Sequence, residues 1–325
     1  MMYFRAIESD VPGLVDLIGD FPSGILIAPL ASCIDKRAHV IFVASGVLTR
    51  IPFGALKYKG QYLALQKMVS QVPSLRALHF LHQRRSCSPE PRRLRLNAVA
   101  QPGAAGNQWL PMAGLDAMRI ANIGGSALWT EEVSQQGFRD LIRDSDSLHI
   151  CTHGRYDADF PFNSHLLLKD PFRVLDMMAV QSEVLLVTFR ACLSGVGRAS
   201  DAGDLQGFSH AVVAAGANCY LGALWEVNDV ATMLHMSMFY KCLVQAQLSC
   251  TIAFAWGVAT NWLYQLSVDQ AIEQLRKFMQ LWDQWAHNGR KPADLTGKSA
   301  KRKLPRVITD WEHGKKVFDS KSPRI

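Results

Sequence analysis

Short apolar, β-branched runs alternate along the chain with longer segments of helical period. Strands are predicted at residues 24–28, 39–44, 94–100, 147–151, 183–189 and 218–224. Helices are predicted between them, at residues 75–83, 114–123, 132–143, 205–215 and 230–244. Most of the strand runs are continuously apolar, as burial on both faces requires. The pattern therefore predicts an α/β fold, a three-layer α/β/α sandwich with a mostly parallel sheet.

The pattern changes after residue 250. Residues 252–285 are rich in Trp, Gln and Leu and predict helix, whereas the residues from 287 onward are polar and basic with three scattered prolines. We therefore divide the chain into an N-terminal extension (1–23), one α/β domain (24–286) and a basic, flexible tail (287–325).

The net charge of +7 lies in the tail, because residues 287–325 carry eleven Lys or Arg and four acids. A neutral body with a basic appendage lacks the broad positive face of a dedicated nucleic-acid-binding protein. Apolar runs are too short to span a membrane. The seven cysteines include no CxxC pair, so neither a disulfide framework nor a zinc ribbon is indicated. We expect a cytoplasmic protein with no metal or organic cofactor.

Candidate chemistry lies where two predicted strands end, since open parallel sheets place their sites at the carboxyl ends of strands. His153 ends one such run and Cys192 follows another, 39 residues later. A thiolate can attack a carbonyl while an imidazole moves the protons, and the N–H groups of Gly154 and Cys192 would hold the oxyanion. From spacing alone the alternative is a small buried cysteine, the interpretation we give to Cys151 and Cys219.

A wider set of motifs resembles the CHAT family, caspase-like peptidases related to separases. The motifs are IAPL (27–30), HVIFVASGVLTRIPFGAL (39–56), QYLALQKMVSQVPSLRAL (61–78), LHICTHG (148–154), LLVTFRACLSGVG (185–197), GDLQGFSHAVVAAGANCYLGALWEVND (203–229) and FYKCL (239–243). The resemblance covers about residues 24–250 and implies a caspase-like fold. It also implies that His153 and Cys192 are the catalytic dyad.

In related peptidases the segment after the next strand lines the pocket for the residue before the scissile bond. Here that segment is LWEVND (224–229), which contains Glu226 and Asp229. Asp229 is the first candidate for a basic-specific pocket and Asp204 the second. The alternative for each is a helix cap, by Asn228 or Asp229 for one helix and by Asp204 for another.

Two features depart from the family's pattern. Arg190 stands where the family usually has a small residue, two positions before Cys192, and would either lower the pKa of that cysteine or point into solvent. The family's C-terminal strand is not evident after residue 250, and PRVITDWEHG (305–314) is a faint candidate for it.

The resemblance implies a cysteine endopeptidase that cleaves a polypeptide substrate as an effector in signalling or defence. A sensor or helical-repeat protein is the expected partner. The first alternative is an inactive caspase-like scaffold that binds partners. The second is a nucleic-acid or acidic-membrane binder acting through the basic tail.

Overall fold

The computed structural model describes residues 14–87, 94–101, 110, 112–124, 126–129, 133–157, 159–190, 197–199, 205–225, 227–246, 249–287, 305 and 308–309. Cys192, Asp204 and Glu226 lie outside these residues. No helix in the described ranges is both long and apolar enough to cross a membrane.

One longer helix precedes the first strand, and the other longer helices lie between strands or follow the last strand. The helices are α1 (Leu14–Leu26), α2 (Ala31–Asp35), α3 (Leu63–Gln66), α4 (Leu75–Cys87), α5 (Ala113–Ile123), α6 (Gln135–Asp144), α7 (Val174–Met178), α8 (Phe208–Ala214), α9 (Asp229–Gln245), α10 (Ile252–Gln265) and α11 (Val268–His287). The strands are β1 (His39–Val43), β2 (Lys57–Tyr58), β3 (Gln61–Tyr62), β4 (Met68–Val72), β5 (Leu96–Ala100), β6 (Ser126–Trp129), β7 (Ser147–Cys151), β8 (Gly154–Arg155), β9 (His165–Leu166), β10 (Phe172–Arg173), β11 (Leu186–Arg190), β12 (Gly197–Ala199), β13 (Leu205–Gly207) and β14 (Cys219–Gly222).

Five of the strands form one sheet in the order β14-β11-β7-β5-β6, and every neighbouring pair in it is parallel. Every residue of β7 and β11 is buried, which confirms the continuous apolar runs as central strands. The mixture of a parallel sheet with intervening helices confirms the predicted α/β class.

Alternate residues of each central strand enter two different hydrophobic cores, as the period of a strand requires. Leu148 and Ile150 of β7 pack in the first core, which includes side chains of α6, α7 and α8. Cys151 of β7 lies in the second core, which includes side chains of α5, α9 and α10. Cys151 is therefore a core residue, as predicted, while Cys219 is partly buried against the same second core.

The N-terminal part differs from the predictions. β1 is a strand as expected, but it pairs with β4 in a separate two-stranded parallel sheet, and Ile41 and Val43 are exposed. The predicted strand at 24–28 is wrong, because α1 continues to Leu26 and a 3₁₀ turn follows over Ala28–Leu30. Ile25 is exposed there, so this apolar run is not covered on both faces.

The C-terminal part is helical over the predicted range, but it is divided into α10 and α11. Side chains of α11, including Leu275 and Phe278, pack with Val230 in a third core. Ile308 is 7% exposed and belongs to this core. The expectation of a flexible tail over 287–325 therefore does not hold at Ile308.

Candidate active site

β7 and β11 are neighbours in the sheet, and their last residues, Cys151 and Arg190, are paired across the ladder. His153 follows Cys151 by two residues, and Cys192 follows Arg190 by two residues. The chain therefore leaves the two strands at the same level of the sheet, with an equal number of residues to the histidine and to the cysteine. Cys192 itself lies outside the described residues.

The residues around His153 are fixed by hydrogen bonds to the β9 side of the site. The Thr152 hydroxyl is buried and donates to the Leu167 carbonyl at 2.8 Å. The Leu167 N–H donates to the His153 carbonyl at 2.9 Å. These two bonds hold the backbone of His153, whose own side chain is half-buried.

Gly154 begins β8, which runs antiparallel to β9 with Gly154 opposite Leu166. The bond from Leu167 to His153 belongs to the preceding pair of this ladder, so Gly154 and Leu166 form a non-hydrogen-bonded pair. In such a pair the N–H groups point away from the partner strand. The Gly154 N–H is consequently directed away from β9.

A charged cluster is buried beneath the strand ends. The Asp116 carboxylate, from α5, has its Oδ2 atom 3.1 Å from His149 Nε2 and 3.4 Å from the Cys151 sulfur. The Cys151 sulfur lies 3.1 Å from the same imidazole nitrogen. The Nε atom of Arg190 approaches Asp116 Oδ2 to 3.2 Å as an ion pair.

Arg190 also binds Asp229, the first residue of α9. One terminal nitrogen of the guanidinium donates to the Asp229 carbonyl and to its Oδ1 atom. The side chain of Arg190 is 3% exposed, so the expectation that it points into solvent is wrong. The other alternative was that Arg190 lowers the pKa of Cys192. Its charge is already paired with two carboxylates, so it is not a free cation for that role.

Burial and neighbouring charges set the protonation states of Cys151 and Arg190. Burial first, and then the Asp116 carboxylate, raise the pKa of the Cys151 thiol well above its ordinary value. Burial opposes the charged form of Arg190, but Asp229 and Asp116 outweigh it and raise the pKa of the guanidinium. Cys151 is accordingly a protonated thiol at neutral pH, and Arg190 is a permanent cation.

Among the described residues, Asp116, His149 and Cys151 form a group that could hold a metal ion, since their ligand atoms lie within 4.8 Å of one another. A carboxylate, an imidazole and a thiolate suit zinc. However, the Arg190 guanidinium already contacts the carboxylate oxygen that such an ion would use. The Arg190 guanidinium therefore supplies the positive charge that balances the Asp116 carboxylate.

The structure places His153 and Gly154 just after the end of β7, with Gly154 as the first residue of β8. Asp229 lies at the start of α9, where the cap is Asn228, whose side chain accepts from Val230 N and Ala231 N at 3.0 Å. The pocket role of Asp229 stays a prediction, as do the roles of the undescribed Cys192, Asp204 and Glu226.

Asp116 and His149 were not predicted as polar residues of the site. The sequence carries a partial signal, because Arg190 is a charge at the end of an otherwise largely apolar strand run. Buried charges must be paired, so the position of Arg190 indicates that an acid lies beside it without saying which acid.

Comparison of the sequence with protein-family models identifies a family for the chain. The CHAT domain model matches residues 23–305 of the chain. The match covers most of the 325 residues and continues past residue 250, where the quoted motifs end. The chain belongs to the CHAT domain family. A search of curated proteins found no match.

Proposed function

We propose that the chain is a cysteine endopeptidase with His153 and Cys192 as its catalytic dyad. The observation that carries the proposal is the pairing of Cys151 with Arg190 at the ends of β7 and β11. Two neighbouring parallel strands thus lead, over equal numbers of residues, to an imidazole and a thiol. Family membership supports the same assignment, because CHAT domains resemble caspase-like peptidases.

The dyad acts by acyl transfer. His153 accepts the proton of the Cys192 thiol, and the thiolate sulfur forms a bond to the scissile carbonyl carbon. The carbon–nitrogen bond then breaks as the imidazolium gives its proton to the leaving amine. Water hydrolyses the remaining thioester, which releases the acid and restores the thiol. Charge develops on the carbonyl oxygen in both halves of the reaction.

Backbone N–H groups of Gly154 and Cys192 are the proposed oxyanion donors. The direction of the Gly154 N–H supports this role, since it is not used in the ladder with β9. Glycine at this position also lets the substrate carbonyl approach the backbone without meeting a Cβ atom.

The caspase-like, three-layer α/β/α arrangement is part of the proposal. It is supported by the two cores that receive alternate residues of the central strands, each with its own set of helices. A polypeptide substrate, a sensor or helical-repeat partner and a cytoplasmic location remain predictions from the sequence.

A peptidyl chloromethyl ketone tests the dyad, because it alkylates an activated thiol faster than an ordinary one. We expect mass spectrometry to find the label on Cys192 before any other cysteine. Cys192→Ala should abolish peptide cleavage, and His153→Ala should lower it by about 10³-fold or more. Cys33→Ser is the matched control, because Cys33 is an exposed free thiol remote in sequence from the site.

The outcomes separate peptidase from scaffold. Undiminished cleavage by Cys192→Ala would disprove the mechanism. Equal labelling of Cys33 and Cys192, with no cleavage of a peptide library, would favour the inactive scaffold.

A further inference from the structure

Arg190 is a buried cation at the end of a central strand, surrounded by apolar neighbours along the chain. Such a charge is stable in the interior only when it is paired with opposite charges. Its partners, Asp116 and Asp229, come from two different helices. The guanidinium is thus the shared contact of β11, α5 and α9.

Both carboxylates lie at the beginnings of their helices. Asp116 is in the first turn of α5, and Asp229 is the first residue of α9. Acids are stabilised there by the partial positive charge of a helix N-terminus. The Met112 N–H, just before α5, donates to Asp229 Oδ2 at 3.2 Å. Asp229 therefore joins the start of α5 to the start of α9, and Arg190 lies between the two carboxylates.

The same Asp116 oxygen also contacts His149 and Cys151 of β7. These residues precede His153 by four and two positions, and Arg190 precedes Cys192 by two. The cluster consequently contacts both strands immediately before the residues of the dyad. Atoms that catalyse an attack must be held in register, because small displacements cost rate.

We propose that Arg190, together with Asp116 and Asp229, is a positioning device that holds the carboxyl ends of β7 and β11 in the register needed by His153 and Cys192. The catalytic consequence of this inference rests on the proposed function. Its structural consequence is independent of activity, because it concerns the mobility of the strand ends. Arg190 acts through the strand and does not touch the substrate.

Two variants separate positioning from stability alone. Arg190→Lys keeps the charge but lacks the planar fork that reaches two carboxylates. Asp116→Asn/Arg190→Met removes the fully buried Arg190–Asp116 pair while keeping similar volumes, and the carboxylate that it leaves without a cation is the partly exposed one of Asp229, so stability should recover relative to Arg190→Met. The single variant Arg190→Met leaves two carboxylates without their cation and provides the lower reference for the melting temperature.

The first readout is amide hydrogen exchange, which needs no activity. We expect exchange at residues 152–154 and 189–190 to be at least about 10-fold faster in both Arg190→Lys and the double variant, with β5 unchanged. Unchanged exchange at the strand ends in both variants would overturn the proposal. Faster exchange throughout the domain would overturn it equally, since it would indicate a general loss of stability.

The second readout is alkylation of Cys192 by the peptidyl chloromethyl ketone in the full chain. We expect the maximal rate constant to fall about 10-fold or more in the double variant, with the half-saturating concentration unchanged and the melting temperature recovered. If reactivity recovers together with stability, the cluster is merely structural and the proposal fails.

If the chloromethyl ketone shows no preference for Cys192 in the wild-type protein, the proposed function is disproved. Hydrogen exchange would still test whether the cluster holds the strand ends in register. Elemental analysis covers the remaining alternative. One zinc ion per chain, lost in Cys151→Ala, would overturn the proposal by making the cluster a metal site.

Discussion

The backbone of Gly216 passes directly against the carbonyl group of Ser182. A Cβ atom built on Gly216 would lie 1.8 Å from the Ser182 oxygen, and the φ angle there is +121°. The Ser182 N–H donates to the Ala215 carbonyl at 2.8 Å, and Arg84 donates to the Gly216 carbonyl. This turn between α8 and β14 therefore needs a residue without a side chain.

Gly216→Ala is expected to lower the free energy of unfolding by about 3 kcal/mol or more, because the clash adds to the backbone strain. Denaturant unfolding measures the change. Gly24→Ala is the control, since nothing lies within 4 Å of that Cβ position in α1. It should be neutral or stabilising by about 0.5–1 kcal/mol. Equal effects of the two substitutions would contradict the close contact.

His235 should make the protein sensitive to acid. Burial lowers the pKa of this imidazole to about 3, from 6.5, and its Nε2 atom lies 3.2 Å from the Thr260 hydroxyl. Below pH 6.5 the unfolded chain binds a proton that the folded chain does not bind, so stability falls as pH decreases towards 3. The limiting contribution is about 1.4 kcal/mol per pH unit.

His235→Gln removes this titration, so its melting temperature should fall less steeply than that of the wild type between pH 6.5 and pH 4. The exposed His79→Gln serves as the control and should keep the wild-type slope. Parallel curves for wild type and His235→Gln would show that another group dominates the acid response.

Ile308 should connect the C-terminal segment to the fold. A chain ending at residue 289 loses this buried side chain, whereas a chain ending at residue 310 retains it. Ile308→Ala should lower the free energy of unfolding by about 2 kcal/mol, and truncation at 289 by at least as much. Thermal unfolding tests both, with the exposed Pro305→Ala as control. Unchanged stability after truncation at 289 would contradict a stabilising role for Ile308 and would support a flexible tail from residue 290 onward.

Cleavage after a basic residue is the prediction attached to Asp229. Its side chain is 27% exposed, but its carboxylate already forms an ion pair with Arg190. If Asp229 lines the pocket, peptides with Arg or Lys before the scissile bond should be cut about 10-fold faster than neutral ones, and Asp229→Asn should remove the difference. The exposed Asp170→Asn is the control for general charge effects. A wild-type preference for acidic residues would exclude this role.

Four of the five strands of the central sheet were predicted from their apolar runs, and the edge strand β6 was missed. Residues 147–151 were predicted as a strand and form β7 with the same bounds. Residues 24–28 have a similar composition but form helix and turn, since a short apolar run does not distinguish a strand from a helix. β4 was missed because Ser70 and Gln71 interrupt its apolar pattern. Its pairing with β1 is a tertiary contact.

The candidate site was predictable only in its outline. Placing His153 at a strand end required no more than the rule for parallel sheets. The pairing of Arg190 with Asp116 and Asp229 could not be predicted, because it depends on how α5 and α9 lie over the sheet. A positive charge in an apolar strand indicates that an acidic partner lies nearby, but the sequence does not identify that acid.

The pairing of Arg190 with Asp116 also constrains how this chain can diverge. Losing Arg190 first leaves Asp116 as a buried charge without its cation, and losing Asp116 first leaves the buried Arg190 with Asp229 as the remaining acid of the two. Each is a defect that a protein of ordinary stability tolerates poorly. A lineage can therefore replace the pair only through a neutral polar intermediate or by near-simultaneous change. The two positions are expected to show sign epistasis, in which a substitution harmful on one background is tolerated on the other.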